Sequence, residues 1–286
     1  VNRYDLQKEF PLLTLRPINL KGAIDEILWI WQKKSNNIKD LATHIWDSWA
    51  DETGSIGKAY GYQLGVKHQY KEGMFDQVDR VIYDLKNNPF SRRIMTNLYN
   101  HHDLSEMGLY PCAYSMTFNV TQGENGRLVL NGILNQRSQD VLAANNWNVV
   151  QYSVLLHMFA QVCDMEIGEL VHVIADAHIY DRHVPIVKEL IEKTPFDAPT
   201  VTLDKSIDDF YKFDYIIGMD EANITRLNRL CPSDSSAVIE LMTKYCRSYT
   251  EKTVLDPYYG GRDDFFHVID LLEDACQGLY ETLHCE

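Results

Sequence analysis

The chain has 286 residues, 45% of them apolar and 11% aromatic, enough for a substantial core in one large or two small domains. Its 27 Lys and Arg against 41 Asp and Glu leave a formal net charge of −14, which argues against general binding to nucleic acid or to an anionic membrane. Six scattered cysteines without CxxC spacing, no apolar run of membrane-spanning length and no secretory segment predict reduced thiols in a cytoplasmic protein.

Leu20 to Lys34 carries Ala23, Ile24, Ile27, Leu28, Ile30 and Trp31 with little room for a polar face, predicting a helix packed on several sides. Glu26 sits within it, and a carboxylate there is paired, functional or at the helix edge. Trp46 to Gly65, with four aromatics and Gly54, Gly57 and Gly61, reads as a surface loop region over a pocket. Phe75 to Leu85 has helical spacing that ends at Asn87-Asn88-Pro89, and Arg92-Arg93 lead into a strand-like stretch, Ile94 to Tyr99. Ala113 to Val120 and Leu128 to Asn135 read as paired strands around a turn at Gly123 to Gly126, so Cys112 opens a hairpin and Arg137 stands near its end.

Trp147 to Cys163 is apolar around most of its circumference, as expected of a central core helix. Glu169 to Ala175 predicts a buried strand delivering His178 and Tyr180, and Val184 to Thr194 a helix. The polar stretch Thr200 to Lys212 precedes a strand at Phe213 to Ile217, a helix near Glu221 to Leu230, a strand near Ala237 to Met242, a turn at Asp256 to Gly261 and a last helix from Phe265 to Leu283.

A cysteine attacks carbon electrophiles as thiolate, and neighbouring guanidinium groups favour that form. By itself Cys112 could equally be an inert core thiol. Arg137-Ser138 after a strand pairs a bidentate anion fork with a hydroxyl, whereas Arg92-Arg93 alone reads as a solvated pair. His178 and Tyr180, two apart on one strand face, can both reach a sugar hydroxyl or can simply pack.

Taken together and in order, Phe10-Pro11-Leu12-Leu13-Thr14, Glu26-Ile27-Leu28-Trp29, His44-Ile45-Trp46-Asp47, Tyr60-Gly61, Ser91-Arg92-Arg93, Pro111-Cys112, Gln136-Arg137-Ser138-Gln139-Asp140, Asn148 and Asp176-Ala177-His178-Ile179-Tyr180 resemble thymidylate synthase over residues 4 to about 210. The resemblance implies reductive methylation of deoxyuridylate (dUMP to dTMP) at C5, with 5,10-methylenetetrahydrofolate as cosubstrate and no metal. It makes Cys112 the nucleophile at C6 and Glu26 the organiser of water and proton transfers, with Tyr60 and Gln136 completing the hydrogen-bond network. Arg137 and Ser138 hold the phosphate, joined by Arg92 and Arg93 from the second subunit of a homodimer. Asn148 reads the uracil edge, His178 and Tyr180 the ribose, and Asp140 meets the folate beside Trp46 and Trp49. An amide at position 148 both donates and accepts, which suits the O4 acceptor and N3 donor of uracil better than a carboxylate does.

The chain departs from that family in three places. Ala113 follows the cysteine where histidine is common. Ala143-Ala144-Asn145-Asn146-Trp147 replaces a glycine-containing loop ending in Pro-Phe, which leaves hydroxymethylation open and puts a Cβ at Ala144 where it could crowd the pyrimidine or force a different backbone. The family's N-terminal arginine loop and C-terminal closing tail are not in this sequence.

From about Phe213 the sequence resembles instead the C-terminal part of low-molecular-weight protein tyrosine phosphatase, through Phe213-Asp214-Tyr215-Ile216-Ile217-Gly218-Met219-Asp220, Leu227-Asn228-Arg229-Leu230 and Asp256-Pro257-Tyr258-Tyr259-Gly260. Asp256 corresponds to that family's general acid, but its nucleophile loop of cysteine and arginine occurs nowhere in the sequence. The expected architecture is therefore α+β: a thymidylate synthase-like mixed sheet packed with helices over 1–210, followed over 211–286 by a partial α/β segment, half of a phosphatase. Phosphoester hydrolysis by the second part, or an inactive chimeric nucleotide-binding protein, are the rival expectations.

Overall fold

In the computed structural model the described residues are 1–203, 209–255, 257 and 261–284. They form two compact units, Val1–Leu203 and Asp204–Glu286. Asp256, Tyr258, Tyr259 and Gly260, and with them the expected turn and its acid, lie outside the described residues.

The first unit begins with strand β1 (Asn2–Asp5) and helix α1 (Leu20–Trp31), which Asn19 caps by accepting from the Gly22 N–H at 3.0 Å. The helix stops short of Lys34, because that residue turns the chain with φ of 53° and sends its ammonium to Asp76 at 2.5 Å. A five-residue helix, α2 (Gly61–Gly65), interrupts the stretch expected to be loop. Gly61 opens it where the chain passes close to other backbone: a Cβ there would stand 2.2 Å from the Ser35 carbonyl oxygen. A small hairpin, β2 (His68–Tyr70) with β3 (Gly73–Phe75), takes Phe75 out of the expected helix. That helix, α3 (Gln77–Asn87), starts instead where Asp76 accepts from the Val78 and Asp79 N–H groups.

Strands β4 (Met95–Asn97), β5 (Ala113–Gln122) and β6 (Leu128–Asp140), helix α4 (Asn145–Val162) and strand β7 (Glu166–His178) complete the framework. The sheet order is β1-β7-β6-β5-β4, antiparallel except for the parallel pair β6 and β7. Strands β6 and β7 run further than their apolar alternation suggested, so Gln136 to Asp140 and Asp176 to His178 remain in register, with Asp140 opposite His178. The C-terminal ends of these parallel strands and the start of antiparallel β5 converge on one edge of the sheet, where side chains of three strands meet. Above it, α4 is buried nearly all round and packs on α1 and the sheet, in a core including Ile27, Trp29, Phe118, Leu134, Leu156 and Phe159. Helix α5 (Val184–Ile191) follows.

In the second unit, α6 (Asp209–Lys212) leads to β8 (Tyr215–Gly218), α7 (Glu221–Leu230), β9 (Val238–Leu241) and the long α8 (Arg262–His284). Phe213 is not yet strand, because its N–H closes a turn on the Asp209 carbonyl at 3.0 Å. Strands β8 and β9 are parallel with α7 between them, a βαβ unit, and Met242, Val254, Leu271 and Ala275 form its core. Among the described residues no helix is long and apolar enough to cross a membrane. Cys112, Cys163, Cys231, Cys246 and Cys276 are free thiols.

Candidate functional site

A cavity of about 500 Å³ opens at the convergent sheet edge of the first unit. Glu26, Trp46, Trp49, Tyr60, Cys112, Gln136, Ser138, Asp140, Asn148, His178 and Tyr180 all line it, so residues up to 154 positions apart in sequence share one space. Arg137 stands beside it, with Nη2 3.6 Å from Cys112 Sγ. Arg92 and Arg93 do not join them: both are exposed at the entry to β4, and their guanidinium groups have no hydrogen-bond or ion-pair partner among the described residues.

Cys112 precedes β5, and the ladder holds it close to β6: its carbonyl accepts from the Arg137 N–H at 2.8 Å. Tyr60 fixes it from the other side, its hydroxyl accepting the Cys112 N–H at 3.0 Å. Tyr60 holds a left-handed φ of 43°, a conformation that for a non-glycine residue stores about 1–3 kcal/mol. Burial pushes the Cys112 thiol above its ordinary range, and the Arg137 charge only partly opposes this. This corrects the expectation that guanidinium neighbours prevail: half-burial outweighs one exposed arginine, whose Nη2 also donates to the Tyr110 carbonyl at 3.3 Å.

Glu26 is buried, and three N–H groups converge on it. Trp46 Nε1 donates to Oε1 at 2.6 Å, while Trp147 Nε1 and Gln151 Nε2 donate to Oε2 at 2.5 and 2.7 Å. Burial raises its pKa and these donors hold it back, so the carboxyl is poised above the usual carboxylate range. The helix edge reading of Glu26 is thereby excluded, since it is 6% exposed.

On β6, Ser138 faces the cavity beside Arg137, while Gln136 Nε2 donates to Asn148 Oδ1 at 3.1 Å. Asp140 is partly committed: Oδ1 accepts from the N–H groups of Leu142 and Ala143 at 3.0 and 3.1 Å, and Oδ2 lies 3.3 Å from His183 Nδ1. His178 ends β7, whereas Tyr180 lies beyond the strand, contrary to the expected shared strand face. Their rings nevertheless meet edge to face at 5.1 Å. Ala144, at φ −108° and ψ −23°, needs no glycine, so the altered loop before α4 is an ordinary helix entry.

Sequence reasoning missed Trp147, Gln151 and His172 as parts of the site. Gln151 follows Asn148 by three residues on α4, a spacing that puts both on one face. His172 is the polar member of the inward alternation Leu170, His172, Ile174 on β7. It is fully buried, with Nε2 2.8 Å from Gln136 Oε1, and burial pulls its pKa down to about 4 from 6.5. An unfolded chain takes up this proton near 6.5 and the folded one resists it, so the stabilising contribution is present above 6.5 and is lost as pH falls through about 4. The shift is worth about 3 kcal/mol. In urea unfolding at pH 7 and pH 4, His172→Gln is expected to lose less stability on acidification than wild type by about that amount. Equal losses in the two proteins would dismiss His172 as an acid-sensitive point of the fold.

The family model of thymidylate synthase matches residues 1–222, and that of low molecular weight phosphotyrosine protein phosphatase matches residues 177–286, the two overlapping over 177–222. Thymidylate synthase of Bacillus phage phi3T is 44% identical over 215 residues, covering 74% of this chain and 75% of that protein. Thymidylate synthase of Bacillus atrophaeus is 44% identical over 209 residues, covering 72% and 90%. The structure of thermostable thymidylate synthase A from Bacillus subtilis superimposes with a TM-score of 0.68 at 42% identity, covering 74% of this chain and 76% of that one.

Proposed function

The chain belongs to the thymidylate synthase family, and from that premise we propose that its cavity converts dUMP to dTMP by reductive C5 methylation through a covalent adduct on Cys112. One observation carries the reading: a cysteine sulfur, a carboxyl with raised pKa and an amide line one cavity, with an arginine fork beside it 3.6 Å from the sulfur. Arg137 and Ser138 bind the nucleotide phosphate, and His178 and Tyr180 take the ribose hydroxyl. Asn148 reads the base, one Nδ2–H donating to O4. The Cys112 thiol gives up its proton, Sγ bonds to C6, and the electron pair of the C5–C6 double bond moves onto C5 and O4, where Asn148 stabilises the charge. C5 is then nucleophilic towards a one-carbon electrophile and afterwards loses its hydrogen as a proton to water, and the C6–Sγ bond breaks to release the base and return the Cys112 thiolate, which regains its proton from water. Glu26, with a carboxyl held above the usual range, moves protons at O4 and at the base through water.

The residues present fit a flat heteroaromatic cosubstrate. Trp49 and Ile45 are apolar, exposed side chains on the cavity wall, and Asp140 on the same wall offers an acceptor for ring N–H groups. 5,10-Methylenetetrahydrofolate, when bound there, supplies both the one-carbon unit and the hydride. The guanidinium groups of Arg92 and Arg93, unpartnered among the described residues, support a homodimer in which they reach the partner's phosphate site. A cytoplasmic location agrees with the free thiols.

Residues 1–210 are proposed as the catalytic domain and 211–286 as a phosphatase-like segment without hydrolytic activity, since the sequence lacks that family's nucleophile loop. With deuterium at C5 of dUMP, release to solvent is expected only when the reduced folate is present. A folded dimer that releases none in the complete mixture would overturn the reading.

A further inference from the structure

Around Asn148 the buried amides are locked into a single hydrogen-bond direction. Gln151 is 2% exposed, and its nitrogen donates to Glu26 Oε2 at 2.7 Å and to the Ala23 carbonyl at 3.2 Å. A backbone carbonyl only accepts, so the bond to Ala23 allows this amide one orientation. Its oxygen must face Asn148, and it takes the Nδ2–H at 3.2 Å. Asn148 Oδ1 is thereby turned to Gln136 and Gln139, whose nitrogens donate at 3.1 and 3.4 Å. Gln136 is held in the same sense by a second acceptor, the Ser138 carbonyl at 3.1 Å from its nitrogen. Its oxygen faces Nε2 of His172 at 2.8 Å, which fixes the Nε2–H tautomer, and Nδ1 has no partner among the described residues. From His172 through Gln136, Asn148 and Gln151, every donor points towards Glu26.

We propose that Gln151 is a positioning residue which, with Gln136 and His172, holds the Asn148 amide in the orientation that reads a 4-oxo pyrimidine and rejects a 4-amino one. The inference rests on the nucleotide reading above and deepens it. In the locked orientation the second Nδ2–H has no partner among the described residues and can donate to O4 of uracil, while Oδ1 can exchange its longer donor, Gln139 at 3.4 Å, for N3–H. Cytosine offers the reverse, a 4-amino donor and an N3 acceptor, and needs the amide turned over. Turning it over sets Nδ2 against the Gln136 donor and Oδ1 against the Gln151 oxygen, two buried mismatches at once. Discrimination at the base is therefore enforced by the hydrogen bonds that hold the Asn148 amide from behind.

The test compares dissociation constants of dUMP and dCMP by calorimetry, on the full chain and on Gln151→Met, which keeps length and volume but neither donates an N–H nor offers an amide oxygen. Wild type is expected to prefer dUMP, and the variant to narrow that preference at least about tenfold. Loss of packing alone weakens both nucleotides together, because they differ only at C4 and N3, so the ratio separates positioning from structure. Should Gln151→Met not fold, Gln136→Met cuts the relay on the other side of Asn148 and is expected to narrow the ratio likewise. An unchanged ratio in a folded variant overturns the relay and leaves the nucleotide reading standing. A wild-type chain that binds neither nucleotide overturns that reading and the relay with it, and one that binds both equally overturns the relay.

Discussion

Cys112→Ala is expected to lower dUMP turnover by at least about 10⁴-fold, because a nucleophile that opens a covalent route has no substitute in the cavity. That factor corresponds to about 5.5 kcal/mol of barrier. Sγ is the cavity's reactive sulfur, 3.6 Å from Arg137 Nη2 and 4.0 Å from the Tyr110 carbonyl oxygen. Its thiol is raised by burial, so chemistry depends on where the proton goes as well as on the sulfur. Nucleotide affinity is expected to change far less, since Arg137, Ser138, Asn148, His178 and Tyr180 all remain. The checks are deuterium release from C5 and mass spectrometry of the denatured protein, which should carry a nucleotide only when Cys112 is present. A variant that kept about a tenth of the wild-type rate would rule out an obligatory covalent path.

Glu26→Gln is expected to lower kcat by about 10³-fold with a smaller change in KM, the range typical for removing a proton-transfer group. The amide cannot satisfy the shell it inherits. Trp46 donates to one carboxylate oxygen, Trp147 and Gln151 to the other, so at least one of these N–H groups would meet an NH₂. The pH dependence gives the sharper check. Burial raises the Glu26 carboxyl above its ordinary 4.5, so the wild-type rate profile should contain an ionisation above that value. The residual activity of Glu26→Gln should lack it. If the same ionisation persists in the variant, Glu26 is not the group that titrates, and its three donors hold it for structure alone.

Several parts of the site were legible because short runs of sequence carry their chemistry with them. Gln136-Arg137-Ser138 ends a strand, Cys112 opens its neighbour, and the hairpin between them is short enough that their adjacency follows from local pairing. The helix holding Asn148 was visible from its apolar surface, and Glu26 from its place inside another such helix. Boundaries were less legible. Phe75 has helical spacing to Leu85 but pairs as a strand with His68, because a cross-strand partner outweighs a weak local preference. Gly61–Gly65 is helical within a glycine-rich stretch that reads as loop, and Gly61 is required there by the Ser35 carbonyl, which approaches too closely for any side chain.

By itself, then, the chain's sequence determined the element types, the mixed α+β character, the family and the inventory of chemical groups, all of which depend on neighbours within a turn or a hairpin. Tertiary structure alone decided which way those groups point and how readily they ionise. Burial, and not the adjacent arginine, prevails at the Cys112 thiol. Trp147 and Gln151 reach across from α4 to claim a carboxylate on α1. His172, unremarkable in a strand of alternating apolar residues, becomes the buried end of a polar chain. At Glu26 the donors Trp147 and Gln151 lie more than a hundred residues away in sequence, and desolvation and hydrogen-bond direction act only once the helices and the sheet have closed together.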